Sequence, residues 1–174
     1  KSVDCYEPDV IHTNKIRENL KLNKVNNVKI ITKAVSNKSK TLDFIRVLGN
    51  TTGSHIVGSK PNPYGKMKII KVKSIEFRKI IKKYDFIKID AEGQEGDIIL
   101  NTKKTDWKKT DVILEVGSIK NAKKIFNNLK KLNINMFSQK KNWSKVKSVK
   151  DMPSSYKEGS LFISKINHFN FDKV

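Results

Sequence analysis

Apolar residues in this chain gather in short runs rich in Ile and Val, and amphipathic stretches separate the runs. The first run, Val3 to Glu7, alternates weakly and stops at Pro8, which holds Glu7 extended and ends a strand. Asp9 is placed to cap the segment "VIHTNKIRENLKLN", a helix with Ile16 and Leu20 four residues apart. "NVKIITKAV" reads as a second strand, with "KTLDFIRV" and "MKIIKVK" as further strands. Between these two lies "LGNTTGSHIVGSKPNPYGK", a long loop by its Gly, Asn, Ser and Pro content. Loops of that length tend to carry function.

The second half is more regular. "SIEFRKIIKKY" predicts a helix with Phe77, Ile80, Ile81 and Tyr84 on one face. "DFIKID" is a short strand, "GQEGDIILN" a helix, and "DVILEVG" an apolar strand of the kind parallel sheets bury on both faces. "SIKNAKKIFNNLKKLN" places Ile119, Ala122, Ile125, Phe126, Leu129 and Leu132 on one helical stripe. "INMFS" and "GSLFISKI" close the chain as an antiparallel pair joined by a polar link. Strands alternating with helices predict an open, mainly parallel α/β sheet in a single domain over residues 1–174.

Composition changes this picture little. The 174 residues hold 37 Lys and Arg against 17 Asp and Glu, a net charge of +20. The arginines are only Arg17, Arg46 and Arg78, whereas phosphate and base-edge recognition recruits the planar arginine fork. Lysines scattered along the whole chain read as a solvated surface, and the pattern argues against specific nucleic-acid recognition. No apolar run approaches the roughly 18–20 residues of a membrane span, so a soluble, cytoplasmic domain is expected. Cys5 is the single cysteine, which removes intrachain disulfides and cysteine zinc sites.

Ligands in open α/β sheets bind beyond the carboxyl ends of the strands, where Glu7, Asp90 and Glu115 fall. A carboxylate ending a second strand can accept both hydroxyls of an adenosine ribose, about 20 residues past a glycine-rich turn. No G-x-G occurs in the chain, and a turn at that spacing from Glu7 would precede Lys1. Asp90 and Glu92 lie where a strand passes into a helix through Gly93, and Lys88 shares a strand face with Asp90. Glu95 and Asp97 have a plainer reading, as acids that stabilise the first turn of a helix. His12, His55 and His168 show no metal-ligand spacing, and an exposed loop position is the ordinary reading of His55.

"YEPD", "NVKIITKAVSNKSKTLDF", "FIKIDAEGQEGDIIL" and "DVILEVG", in that order, resemble the FkbM-type methyltransferases, which are S-adenosylmethionine-dependent O-methyltransferases. The resemblance covers roughly Val3 to Ser118. It implies a Rossmann-like class I sheet, mostly parallel with an antiparallel C-terminal pair, whose first strand, helix and glycine-rich turn these residues do not contain. It implies S-adenosylmethionine as cofactor, with Glu7 on the ribose, Ala34 and Val35 beside the adenine, and Asp90 and Glu115 on the same rim. Asp90 would serve as base or orienter, Glu92 after it, and His55, with Ser54, would face acceptor or cofactor. The partner expected is a small-molecule, sugar or glycan hydroxyl. Two other readings stay open: an inactive α/β binding module, and a nucleic-acid methyltransferase using the lysine surface.

Overall fold

The computed structural model describes residues 1–49, 53–59 and 65–167. The chain divides into two compact units, Lys1–Glu76 and Phe77–Val174. Tyr64 of the long loop and His168 lie outside the described residues.

In the N-terminal unit, β1 (Val3–Tyr6) and β2 (Val28–Ile31) pair in parallel from Val3↔Val28 to Tyr6↔Ile31. The helix α1 (Val10–Leu22) makes the crossover, and the Asp9 side chain accepts from Ile11 N–H at its start. The run expected as one strand over 27–35 is two. Lys33 N–H bonds back to the Ile31 carbonyl at 2.8 Å, and this tight turn moves β3 (Ala34–Ser36) to a different sheet. There β3 lies parallel to the end of β6 (Met67–Glu76), while β4 (Thr41–Val47) runs antiparallel along the rest of β6. The short β5 (His55–Ile56) adds antiparallel to β4. Alternation along β4 and β6 sends Phe44 and Val72 into a small core with Ala34, against which Leu42, Ile56 and Ile70 pack.

In the C-terminal unit the predicted helix over 74–84 is absent. Residues 74–76 belong to β6, recruited by pairing with β3, and two 3-10 turns follow, Phe77–Lys79 and Ile81–Lys83. Both Phe77 and Ile81 are buried, so the apolar spacing serves a core but not a helix. The strands β7 (Phe86–Ile89), β8 (Asp111–Glu115), β9 (Asn135–Ser138), β10 (Ser144–Lys145) and β11 (Ser160–Ser164) form one sheet, ordered β10-β9-β11-β8-β7. β7 and β8 are parallel; β11 is antiparallel to both β8 and β9, as the C-terminal strand pair predicts.

The short helix α2 (Glu95–Leu100) follows β7, and α3 (Ile119–Leu132) links β8 to β9. Ser118 caps α3 by accepting from Asn121 N–H, and Asn133 ends it in the left-handed conformation. Its stripe buries Ala122, Ile125, Phe126 and Leu129, while Ile119 stays half exposed.

The fold is thus mixed α/β, but "mostly parallel" is not what forms. Only the pairs β1–β2, β3–β6 and β7–β8 are parallel among the described residues. Antiparallel pairing prevails where strands follow one another without a helix to cross over, as β4, β5 and β6 do. The link before β11 is structured, with 3-10 turns at Val149–Asp151 and Tyr156–Glu158. Among the described residues no helix is long and apolar enough to cross a membrane.

Candidate functional site

The N-terminal unit gathers its polar residues just past β1. Glu7 continues the ladder by donating its N–H to the Ile31 carbonyl at 3.2 Å, which carries its side chain to the strand's carboxyl end. Its Oε1 accepts from Asp9 N–H at 2.7 Å and lies 3.6 Å from His12 Nδ1; neither contact uses Oε2. Burial pushes the Glu7 carboxyl up from its ordinary range, against the lowering effects of Asp9 N–H and His12. Asp9 is fully buried, with the Arg46 guanidinium gripping both of its oxygens at 2.5 and 2.6 Å. Burial works against the Asp9 charge, yet Arg46 and Ile11 N–H overcome it and hold the carboxyl below its usual range.

Ala34 and Val35 occupy β3 with opposite faces. Ala34 is part of the Phe44–Val72 core, while Val35 is half-buried on the other side. His55 is not an exposed loop residue. It is 2% exposed on β5, and its Nδ1 donates to the Gly53 carbonyl at 2.8 Å. A carbonyl oxygen only accepts, so Nδ1 carries the proton; the buried Nε2 has no hydrogen-bond partner among the described residues. Ser54, also buried, accepts from Val47 N–H at 3.1 Å.

In the C-terminal unit the chain leaves β7 at Asp90 and turns before α2. Asp90 is exposed and pairs with Lys88 at 3.8 Å, as their shared strand face predicts. Glu92 has φ +49° and Gly93 φ +99°. A left-handed glutamate is uncommon away from sites where surrounding contacts hold it. Those contacts come from Glu95, only 1% exposed. Its Oε1 accepts from Ala91 N–H at 3.0 Å and Gly93 N–H at 3.2 Å, and its Oε2 from the Asn121 amide at 3.0 Å. The same amide donates to the Gly93 carbonyl at 2.9 Å. Burial pushes the Glu95 carboxyl up, and the N–H donors only partly oppose it. Asp97, by contrast, pairs with Lys124 at 2.7 Å. The two acids of one helical turn therefore do different work.

Glu115 ends β8 opposite Ser160 of β11, half-buried. Beyond it stands Tyr156, which the sequence reading missed. A β-carbon on Gly117 would meet Tyr156 Cζ at 2.3 Å, so the phenol lies directly on the glycine. Burial first, then the charges of Glu92, Glu95, Asp90 and Glu115, push its phenol up to about 12. Three stretches distant in sequence, 90–95, Glu115 and Tyr156, are brought within one electrostatic neighbourhood. A signal was available in the glycine after "DVILEV" and in "SSYKEG", but nothing local connects the two.

A family model described as "Methyltransferase FkbM domain" matches residues 5–146. The chain belongs to the FkbM methyltransferase domain family. No curated protein and no solved structure matches it. The matched span takes in Glu7, Ala34, Val35, His55, Asp90, Glu92, Glu95 and Glu115, and ends before Tyr156. The FkbM domain is a methyltransferase by this membership. Among its described residues no group of three or more His, Cys, Asp or Glu is arranged to hold a metal ion.

Proposed function

We propose that this FkbM domain methylates a hydroxyl oxygen of a small molecule, sugar or glycan, with S-adenosylmethionine as methyl donor. The observation that carries the reading is the Asp90–Glu92 turn, an exposed carboxylate at a strand's carboxyl end followed by a left-handed glutamate.

The residues of the N-terminal unit fit the adenosyl part of the cofactor by their chemistry. Glu7 ends a parallel strand, is partly buried, and keeps Oε2 clear of its two contacts, so it suits a ribose diol. Val35 offers a half-buried apolar surface for an adenine ring, whereas Ala34 supports it from the core. S-adenosylmethionine supplies, when bound, a methyl group on a cationic sulfur. The protein's part is to orient the acceptor and receive a proton. With the methyl group supplied from that sulfonium, which would leave as a neutral thioether, Asp90 would receive the proton of the acceptor hydroxyl. Lys88 stands 3.8 Å from the Asp90 carboxylate on the same strand face.

Replacing Asp90 by Ala in the full-length protein tests this. Methyl transfer from radiolabelled S-adenosylmethionine to a panel of hydroxylated acceptors should fall by about 10²-fold or more. Circular dichroism and melting temperature should stay as in the unmodified protein, because exposed ion pairs such as Lys88–Asp90 contribute little stability. Undiminished turnover would end the assignment.

A further inference from the structure

We propose that Glu95 and Asn121 are positioning residues for the acidic turn: the buried carboxylate, held by the amide from α3, fixes the backbone of residues 91–93 and so the directions in which Asp90 and Glu92 present their side chains. This rests on the reading of Asp90 and Glu92 as the acceptor-side acids.

Three observations lead here. The Glu95 carboxylate takes the Ala91 and Gly93 N–H groups on one oxygen and the Asn121 amide on the other. Asn121 also holds the Gly93 carbonyl, so the turn is bound on its donor and acceptor sides at once. Finally, Gly96 lets α3 come this close. A β-carbon there would stand 2.8 Å from Asn121 Oδ1 and 3.2 Å from carbons of Lys124.

A nearly fully buried carboxylate held by backbone N–H groups and an amide is costly, and a helix start alone does not call for one. Asp97 already supplies an acid to that first turn and remains accessible to its lysine. What Glu95 adds is hold over a conformation that a glutamate at position 92 disfavours, φ +49°. Where the turn relaxes, Asp90 and Glu92 lose their fixed directions even if both side chains remain.

The test compares Glu95→Gln, Asn121→Ala and Asp97→Asn in the full-length protein by NMR. Glu95→Gln keeps one acceptor oxygen but sets an amide against the Asn121 donor. It should speed hydrogen exchange at Ala91 and Gly93 by about 10-fold or more. It should also move the carboxyl carbon resonances of Asp90 and Glu92, while the amides of Val112, Leu114 and Leu129 keep their protection. Asn121→Ala should act in the same direction and less strongly, and Asp97→Asn should do neither. Unmoved Asp90 and Glu92 signals in both Glu95→Gln and Asn121→Ala overturn the proposal. So does an equal response to Asp97→Asn, which would make both acids mere helix-start charges. Protection lost evenly across the unit in both variants overturns it too, because the pair would then only stabilise the fold. None of these readouts needs turnover, so an inactive enzyme with the expected NMR response would refute the methyl-transfer reading alone.

Discussion

Tyr156 and Gly117 show how one missing β-carbon shapes the C-terminal unit. The phenol occupies the space where an alanine side chain would begin, 2.3 Å from Cζ. Gly117→Ala should therefore push the half-exposed ring aside at a cost of about 0.5 kcal/mol or less, measurable by urea unfolding. With the ring displaced from the neighbouring acids, its ionisation should move down from about 12 toward the ordinary phenol range. Ultraviolet difference titration checks this, with Tyr156→Phe identifying which phenol titrates last. At this scale the sequence revealed what strand ends reveal. Asp90, Glu115 and Glu7 were legible because a carboxylate after an apolar run is a local pattern. Glu95 was legible as an acid in a first helical turn but not as a buried one, because its burial is set by Asn121, 26 positions away. Tyr156 was illegible for the same reason.

Between elements of the N-terminal unit, a bidentate ion pair joins the start of α1 to β4 through Asp9 and Arg46. Arg46→Ala would leave a fully buried carboxylate unpaired and should cost about 3–5 kcal/mol. Asp9 has a folded-state pKa below its unfolded one, so its stabilisation is present above the ordinary aspartate range and is lost as pH falls through the folded value. Asp106, fully buried against Arg78 and Lys82, behaves the same way; burial opposes its charge, and Arg78, the Lys103 N–H and Lys82 together prevail. Glu95 has the opposite sign. Its raised pKa means that the cost of burying its charge applies above the folded value and disappears as pH falls. Urea unfolding across the acid range should show Arg46→Ala flattening the loss of stability at low pH. Elements were legible where periodicity alone decides, as in α3, β4 and β8. They were misread where a distant strand decides. Phe77, Ile80, Ile81 and Tyr84 have helical spacing, but β3 claims residues 74–76 first. There the Ser74 hydroxyl bonds to the carbonyls of Lys38 and Lys40, both at 2.8 Å.

Across the whole molecule the net charge of +20 sets how the protein meets other solutes before any site is engaged. Association with polyanions such as heparin should weaken steeply with added salt, and oligonucleotide binding should show little preference among sequences. A sequence preference that survives high salt would contradict the surface reading of these lysines. The mixed α/β class was legible from alternating patterns, but the division into separate sheets was not, since it depends on which strands find each other. Cys5 supplies a last consequence. It lies on β1 two residues before Glu7, on the same strand face, and burial followed by the Glu7 charge raises its thiol pKa. As the chain's single sulfhydryl, it turns alkylation into a single-residue chemical probe of the strand end where Glu7 stands. Labelling by a maleimide should quicken in Glu7→Gln, where the neighbouring negative charge is gone, and slow when an adenosyl ligand covers that strand end. The rate of one sulfur's reaction would then report occupancy without any methyl acceptor being known.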